Sequence, residues 1–259
     1  MRQSKTKRAI TRDRHVIVRD QYDAVLFDLD GVITDTASLH AACWKRMFDE
    51  YLQKRATQRG EAFRPFDLAV DYRLYVDGKP RFDGVRDFLT SRVIRLPEGT
   101  PDDPAELETV CGLGNRKNDL INEIIGEKGA QPYEGSVRLI HQLRHDGFKI
   151  AVVTSSQNCT TVLKSARLNG LFDAQVDGNV IETQHLAGKP APDTFLRAAK
   201  LLRVKPARAV VIEDAISGVQ AGLSGRFGLV IGVARKGNAE ELKRHGAHLV
   251  VKDLDELVD

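Results

Sequence analysis

The chain has 259 residues, 42% hydrophobic and 29% charged, with a formal net charge of only +3. That is enough apolar material for a real core in one large domain or two unequal ones, and it argues for a folded globular protein. No apolar run approaches the roughly 18 to 20 residues of a membrane span, and the N-terminus lacks the apolar stretch of a secretory signal, so the expectation is a cytoplasmic protein with no membrane partner.

In chain order, the first fifteen residues carry Arg2, Lys5, Lys7, Arg8, Arg12 and Arg14 against the single acid Asp13. Such an arm could touch nucleic acid or an anionic surface, but it has no interleaved aromatics, and a solvated leader over residues 1–20 is the expectation. The first apolar run, Ala24-Val25-Leu26-Phe27, leads into Asp28-Leu29-Asp30-Gly31-Val32. Residues i and i+2 of a strand project from one face, so two carboxylates meet at the strand's end while Gly31 lets the backbone turn away. Paired acids there could hold a hard cation, and one could attack an electrophile while the other moves a proton. An Asp- and Gly-rich turn after a strand is also ordinary loop punctuation, so the pair by itself leaves both open.

The next comparable run is roughly 120 residues later, too far for one crossover helix, and the interval predicts an inserted, mostly helical cap over 37–129. Leu39, Cys43, Met47 and Tyr51 form a helical stripe behind the possible caps Asp35 and Thr36. Val85, Phe88 and Leu89 mark a second helix and Leu120, Ile121, Ile124 and Ile125 a third, with a loop rich in Pro, Gly and acids over 97–104. The core resumes with apolar runs at 150–153, 209–212 and Leu229–Val233, and a shorter one at Leu249–Val251. Between them lie helical stripes such as Val137, Ile140 and Leu143, and Phe195, Ala198, Ala199 and Leu202. Strands alternating with helices imply an α/β fold, a doubly wound parallel sheet of Rossmann-like kind. The core is thus expected over 21–36 and 130–259. Cys43, Cys111 and Cys159 are far apart and show no CxxC spacing, so they read as reduced packing residues.

Three further polar groups stand near strand ends: Thr154-Ser155-Ser156 after Val153, Glu213-Asp214 after Ile212, and Gly188-Lys189-Pro190 ahead of a helix. Ligands of open parallel sheets bind beyond the carboxyl ends of the strands, where hydroxyls and amides suit phosphate oxygens, a lysine supplies charge and acids complete a metal shell. Singly, each has a plainer explanation as a helix cap, a surface lysine or an acidic helix start. Their order and shared placement favour a site.

These residues resemble the haloacid dehalogenase superfamily of phosphotransferases. The resemblance rests on Asp28-Leu29-Asp30-Gly31-Val32, Thr154, Lys189 in Gly-Lys-Pro-Ala-Pro-Asp, and Glu213-Asp214 followed by Ala-Ile-Ser-Gly-Val-Gln-Ala-Gly. It implies that Asp28 is a nucleophile forming an aspartyl-phosphate, that Asp30 is the general acid/base, and that Thr154 and Lys189 bind the transferring phosphoryl group. It also implies magnesium held by Asp28, the carbonyl of Asp30 and Asp214, with Glu213 adjacent. Physically, an anionic carboxylate can approach an anionic phosphate only once charge is neutralised, which a cation and Lys189 would do. Asp30 must be protonated to donate to a leaving oxygen, and crowding by Asp28 in a partly dry site is expected to raise its pKa.

A smaller set resembles the beta-phosphoglucomutase subfamily. Asp35-Thr36-Ala37 with His40 and Trp44 is similar to its first cap segment, and Arg116-Lys117-Asn118-Asp119 to its second. The resemblance implies that Arg81, in Val-Asp-Gly-Lys-Pro-Arg, binds the distal phosphate of a bisphosphorylated sugar with help from Ser156 and Asn158. Thr36, Trp44, Asn118 and Ser155 complete the implied substrate set, and His40 and Lys117 link the cap to Asp30. Each also has a plainer role, His40 and Trp44 as packing residues and Arg81 as a surface charge. The chain departs from the family in Gln157, where relatives often carry a phosphate-binding lysine, and in cap stretches 53–71 and 92–111. The implied reaction interconverts beta-D-glucose 1-phosphate and D-glucose 6-phosphate through glucose 1,6-bisphosphate, which also primes the enzyme, in a monomer. A sugar-phosphate phosphatase with the same catalytic set is the alternative. A binding or regulatory protein is a third reading, against which the intact Asp28, Asp30, Lys189 and Asp214 argue.

Overall fold

The computed structural model describes residues 16–258; the basic leader, as far as residue 15, lies outside them. Six strands form one parallel sheet in the order β3-β2-β1-β4-β5-β6. They are β1 (Ala24–Phe27), β2 (Lys149–Val153), β3 (Ala174–Val176), β4 (Ala209–Glu213), β5 (Leu229–Val233) and β6 (Leu249–Val251). β1 is central, pairing with β2 through Ala24 and Lys149 and with β4 through Ala24 and Ala209. All four of its residues are fully buried, as expected of a strand covered on both faces.

Alternation sorts the side chains between two cores. Val25, Phe27, Ile150, Val152, Val210 and Ile212 face the helices α4 (Glu134–His145) and α5 (Cys159–Ser165). Ala24, Leu26, Ala151, Val153, Ala209 and Val211 face α7 (Asp193–Leu202), α8 (Ile216–Ser224) and α9 (Ala239–Arg244). Each fully buried Val, Leu or Phe contributes roughly 1.5–3 kcal/mol. The expected strands and helical stripes all lie in these elements; β3 and the short α6 (Gly178–Thr183) were not expected. β3 is three residues long and only Val176 of it is fully buried, which leaves no apolar run to detect.

Between β1 and β2 lies the helical insert: α1 (Ala37–Arg59), a π-helical turn (Tyr72–Val76), α2 (Arg81–Ser91) and α3 (Val110–Lys128). It has its own aromatic cluster, in which the Phe48 and Phe88 ring centroids are 4.2 Å apart and Phe66 lies 5.0 Å from Phe48 and 4.9 Å from Phe88. Phe66 belongs to the extra stretch 53–71, which is pinned by the Phe66 amide donating to Asp49 (2.7 Å) and by Arg92 donating to Asp71 (2.6 Å). The stretch 92–111 ends by capping α3, Thr109 Oγ1 accepting from the Gly112 amide at 2.9 Å. Chain entry and exit run side by side, the Asp35 amide donating to the Gln131 carbonyl and the Tyr133 amide to that of Ile33, both at 2.9 Å. Among the described residues no helix is long and apolar enough to cross a membrane.

Candidate active site

Strand order reverses at β1, between β2 and β4, and open α/β sheets bind ligands beyond the strand ends at that switch point. There the structure gathers Asp28, Asp30, Thr154, Lys189, Glu213 and Asp214. Gly31, at φ +93°, makes the turn possible: a Cβ on it would lie 2.1 Å from Asp214 Oδ2, so only a glycine lets that carboxylate close over the β1 loop.

The Lys189 side chain is fully buried and donates to Asp28 Oδ1 (2.5 Å) and Glu213 Oε1 (2.6 Å). Burial disfavours its charge, but those two carboxylates outweigh that and hold it protonated well above the usual lysine range. Asp28 is pushed well up by burial, which the Lys189 charge only partly offsets. Asp214 is raised to about 8, by burial first and then by repulsion from Asp77 and Glu213. Oxygens of Asp28, Glu213 and Asp214 lie within 4.8 Å of one another. Lys189 pairs with two of these three buried carboxylates and the third, Asp214, has only Lys236 at 3.5 Å, so the cluster is under-neutralised, and an all-oxygen donor set of this kind fits a hard divalent cation.

Asp30 differs from the expectation that crowding raises its pKa. Burial does push it up, but His40, Thr36 and Lys117 together hold it well below the usual carboxylate range. Its Oδ1 accepts from Thr36 Oγ1 and its Oδ2 from Thr154 Oγ1 at 3.1 Å. Thr36, a possible helix cap from sequence, occupies the cap position of α1 without a capping bond, its hydroxyl being committed to Asp30 and Thr34. His40 Nε2 stands 3.4 Å from Asp30 Oδ1 without hydrogen-bond alignment, and Lys117 Nζ donates to His40 Nδ1 at 2.7 Å. Burial and then the Lys117 charge keep His40 below its ordinary pKa, hence neutral at pH 7, and with Nδ1 accepting, its proton is on Nε2, facing Asp30.

The insert closes over these groups. Ser155 Oγ donates to the Gly78 carbonyl and Ser217 Oγ to the Asp77 carbonyl, both at 2.8 Å, and Asn158 Nδ2 donates to Asn118 Oδ1 at 3.2 Å. Arg81 is held by Asn115 Oδ1 (3.1 Å) and stacks on Phe82, with its ring centroid 4.2 Å from the guanidinium carbon. Trp44, with Lys117 Nζ 5.1 Å from its ring, both packs in the insert's cluster and walls the cleft. His40, Arg81, Lys117, Asn118, Ser155 and Ser156 also line the cleft, whereas Thr36 and Asn158 stand behind its wall. The cleft encloses about 60 Å³, room for a few waters. The sequence reading assigned nothing to Tyr72, Asp77, Gly78 or Lys79, which also line it, as does Gln157, noted there as a departure from the family. Asp77 to Lys79 lie in the run quoted for Arg81, which is the signal that pointed to them.

A profile of haloacid dehalogenase-like hydrolases matches residues 22–225. The chain is 52% identical over 250 residues to a beta-phosphoglucomutase of Mycobacterium bovis, covering 95% of each chain. It is 32% identical over 235 residues to the beta-phosphoglucomutase of Bacillus subtilis, covering 90% of this chain and 91% of that one. Among solved structures, a beta-phosphoglucomutase from Clostridium difficile superposes with a TM-score of 0.71 at 28% identity, over 91% of this chain and 93% of the other.

Proposed function

Because the chain belongs to the haloacid dehalogenase-like hydrolases, in their beta-phosphoglucomutase-like branch, we propose that this phosphotransferase is a mutase interconverting beta-D-glucose 1-phosphate and D-glucose 6-phosphate. The observation that carries the reading is the buried chain Lys117, His40, Asp30. It makes the protonation of a core carboxylate depend on two side chains of the insert, which a transfer between two ends of a sugar needs and plain hydrolysis does not.

In this reading the resting enzyme carries phosphate on Asp28. Asp30, held ionised by His40, Thr36 and Lys117, is then in the right state for the first half-reaction: it takes the proton of the sugar hydroxyl as that oxygen attacks phosphorus, and the phosphorus bond to Asp28 breaks. The bisphosphate then reverses its orientation with the insert open, and the insert closes again. Asp28 attacks the other phosphate, the bond from phosphorus to the sugar oxygen breaks, and Asp30 returns its proton to that oxygen. Lys189 and Thr154 hold the transferring group. Arg81 grips the distal phosphate, with Asn118 and Ser156 beside it and Asn158 holding Asn118 from behind, an arginine fork being suited to that task. Trp44 and Ser155 shape the cleft, and the insert over 37–129 acts as a cap whose closure excludes water. A divalent cation, taken as magnesium and held by Asp28, Asp214 and the Asp30 carbonyl with Glu213 adjacent, supplies charge neutralisation for the phosphoryl group. The protein works as a monomer on a small phosphorylated sugar.

Phosphorus NMR of the purified protein with beta-glucose 1-phosphate, magnesium and a trace of beta-glucose 1,6-bisphosphate tests this. Glucose 6-phosphate should accumulate faster than inorganic phosphate. Phosphate release outpacing isomerisation would make the enzyme a sugar-phosphate phosphatase instead.

A further inference from the structure

The loop after β5 sends one side chain back to the place where the insert leaves the core, and the proposed chemistry assigns it nothing. Arg235 is 13% exposed, and each of its three nitrogens donates a hydrogen bond. Nη1 donates to the Gly31 carbonyl at 3.0 Å, Nη2 to Ser136 Oγ at 3.3 Å and Nε to Asp253 Oδ2 at 3.2 Å. Ser136 in turn donates to the Val32 carbonyl at 2.6 Å, so two successive carbonyls of the turn after Asp30 hang on this one fork. The guanidinium face lies on Tyr133, its carbon 3.8 Å from the ring centroid, and Tyr133 Oη donates to Asp35 Oδ1 at 2.8 Å. Asp35 and Tyr133 belong to the two linkers between core and insert, which bridge to each other at Thr34 and Pro132. A planar, permanently charged fork that also stacks can make all these contacts at once, which a lysine cannot.

Two routes therefore run from Arg235 to Asp30. One is the backbone, through the Gly31 carbonyl on the next residue. The other passes through Tyr133 and Asp35 to the adjacent Thr36, whose hydroxyl donates to Asp30 Oδ1. We propose that Arg235 is a positioning residue that clamps the turn carrying Asp30 to the base of the two linkers, keeping that carboxylate aimed at the sugar oxygen as the insert moves. The inference rests on the reading of Asp28 as nucleophile and Asp30 as acid/base group. Asp28 is fixed independently, its amide donating to the Ile212 carbonyl at 2.9 Å and its carboxylate accepting from Lys189 at 2.5 Å. Loss of the clamp should thus disturb one carboxylate and spare the other.

The two half-reactions separate these effects. Acetyl phosphate gives its phosphoryl group to Asp28 as the bond from phosphorus to acetate breaks, and acetate leaves as the anion, so loading needs no proton. Discharge to a sugar needs Asp30 to take the hydroxyl proton. With the intact protein, magnesium and radiolabelled acetyl phosphate, acidic gel autoradiography reads loading, then the loss of label on addition of beta-glucose 1-phosphate. In Arg235→Lys, loading should stay within about twofold of wild type, while discharge slows about 10- to 100-fold, the scale of a reacting group displaced by up to about 1 Å. The half-saturating concentration of glucose 1-phosphate should change by no more than about twofold, because Arg235 lies away from the groups that hold the sugar. Tyr133→Phe keeps the stack but drops the bond to Asp35, and should slow discharge alone, by less. Equal slowing of loading and discharge would make Arg235 a support of the fold only and overturn the proposal, as would discharge at the wild-type rate in Arg235→Lys. A wild-type protein that never takes up label overturns the nucleophile reading and the proposal with it.

Discussion

Asp28 and Asp30 are two residues apart and have opposite electrostatics. Burial against Glu213 and Asp214 pushes Asp28 up, and the Lys189 charge does not fully offset it, whereas His40, Thr36 and Lys117 hold Asp30 down. Asp28→Asn, nearly isosteric, should eliminate the base- and hydroxylamine-labile phosphoenzyme and lower turnover at least ~10³-fold; a phosphoenzyme that persists on acidic gel autoradiography would move the nucleophile elsewhere. Lys117 gives the other residue-scale prediction. Burial lowers its ammonium from 10.5 to about 8, so between those values the unfolded chain binds more protons than the folded one, and stability rises with pH across the window. Below pH 8 the folded protein bears the full cost of the buried charge, at most about 3 kcal/mol at 1.36 kcal/mol per unit. Lys117→Met should therefore compare most favourably with wild type in urea melts at pH 7, and that advantage should vanish by about pH 10.5. Its isomerisation should fall by about 10²-fold, the scale of a disturbed acid/base group.

At the scale of elements, the run after the π-helical turn decides how tightly the insert meets the core. Gly78 has φ +72°, and a Cβ there would lie 2.4 Å from Ser217 Oγ and 3.1 Å from the Ala215 Cβ. Gly78→Ala should hold the loop off the two serines that anchor it, leaving the core chemistry intact but the seal open. The expected outcome is a several-fold rise in KM for the sugar phosphate together with a larger fraction of turnovers ending as inorganic phosphate, read by phosphorus NMR. A variant with wild-type partition would mean that this loop does not govern water exclusion. The strands were legible because fully buried parallel strands read as short apolar runs. β3 was not, since an edge strand of three residues needs only one buried apolar side chain. The π-helical turn also escaped notice: Tyr72 and Val76 alone are buried in it, too few positions to reveal a period.

Over the whole molecule, two bodies of packing meet across a cleft lined by acids and a few cations, and ligands that pair those charges should stabilise the protein. Chelation with EDTA should abolish turnover, and magnesium at about 100 times its dissociation constant should raise unfolding free energy by about 2.7 kcal/mol, measured as a shift in urea midpoint; no shift would mean that the acidic cluster does not take the cation. The residues that meet at the switch point could be found without coordinates because strand ends are marked locally, by Asp28-Leu29-Asp30-Gly31, by Thr154 and by Glu213-Asp214. Lys189 was visible only through its run with Pro190, and its burial between Asp28 and Glu213 was not. His40 and Lys117 were picked out by family resemblance, yet their 2.7 Å contact joins residues 77 apart in sequence, and the tautomer it dictates depends on that distance. The sequence by itself determined the alternation of strands and helices, the insert and the carboxylates that stand at the strand ends, because apolar periodicity and strand-end chemistry are local properties. Only the tertiary structure decided the surroundings that hold Asp30 ionised and the fit of the loop at Gly78, because Coulomb and steric terms depend on separations of a few ångströms between segments far apart in the chain.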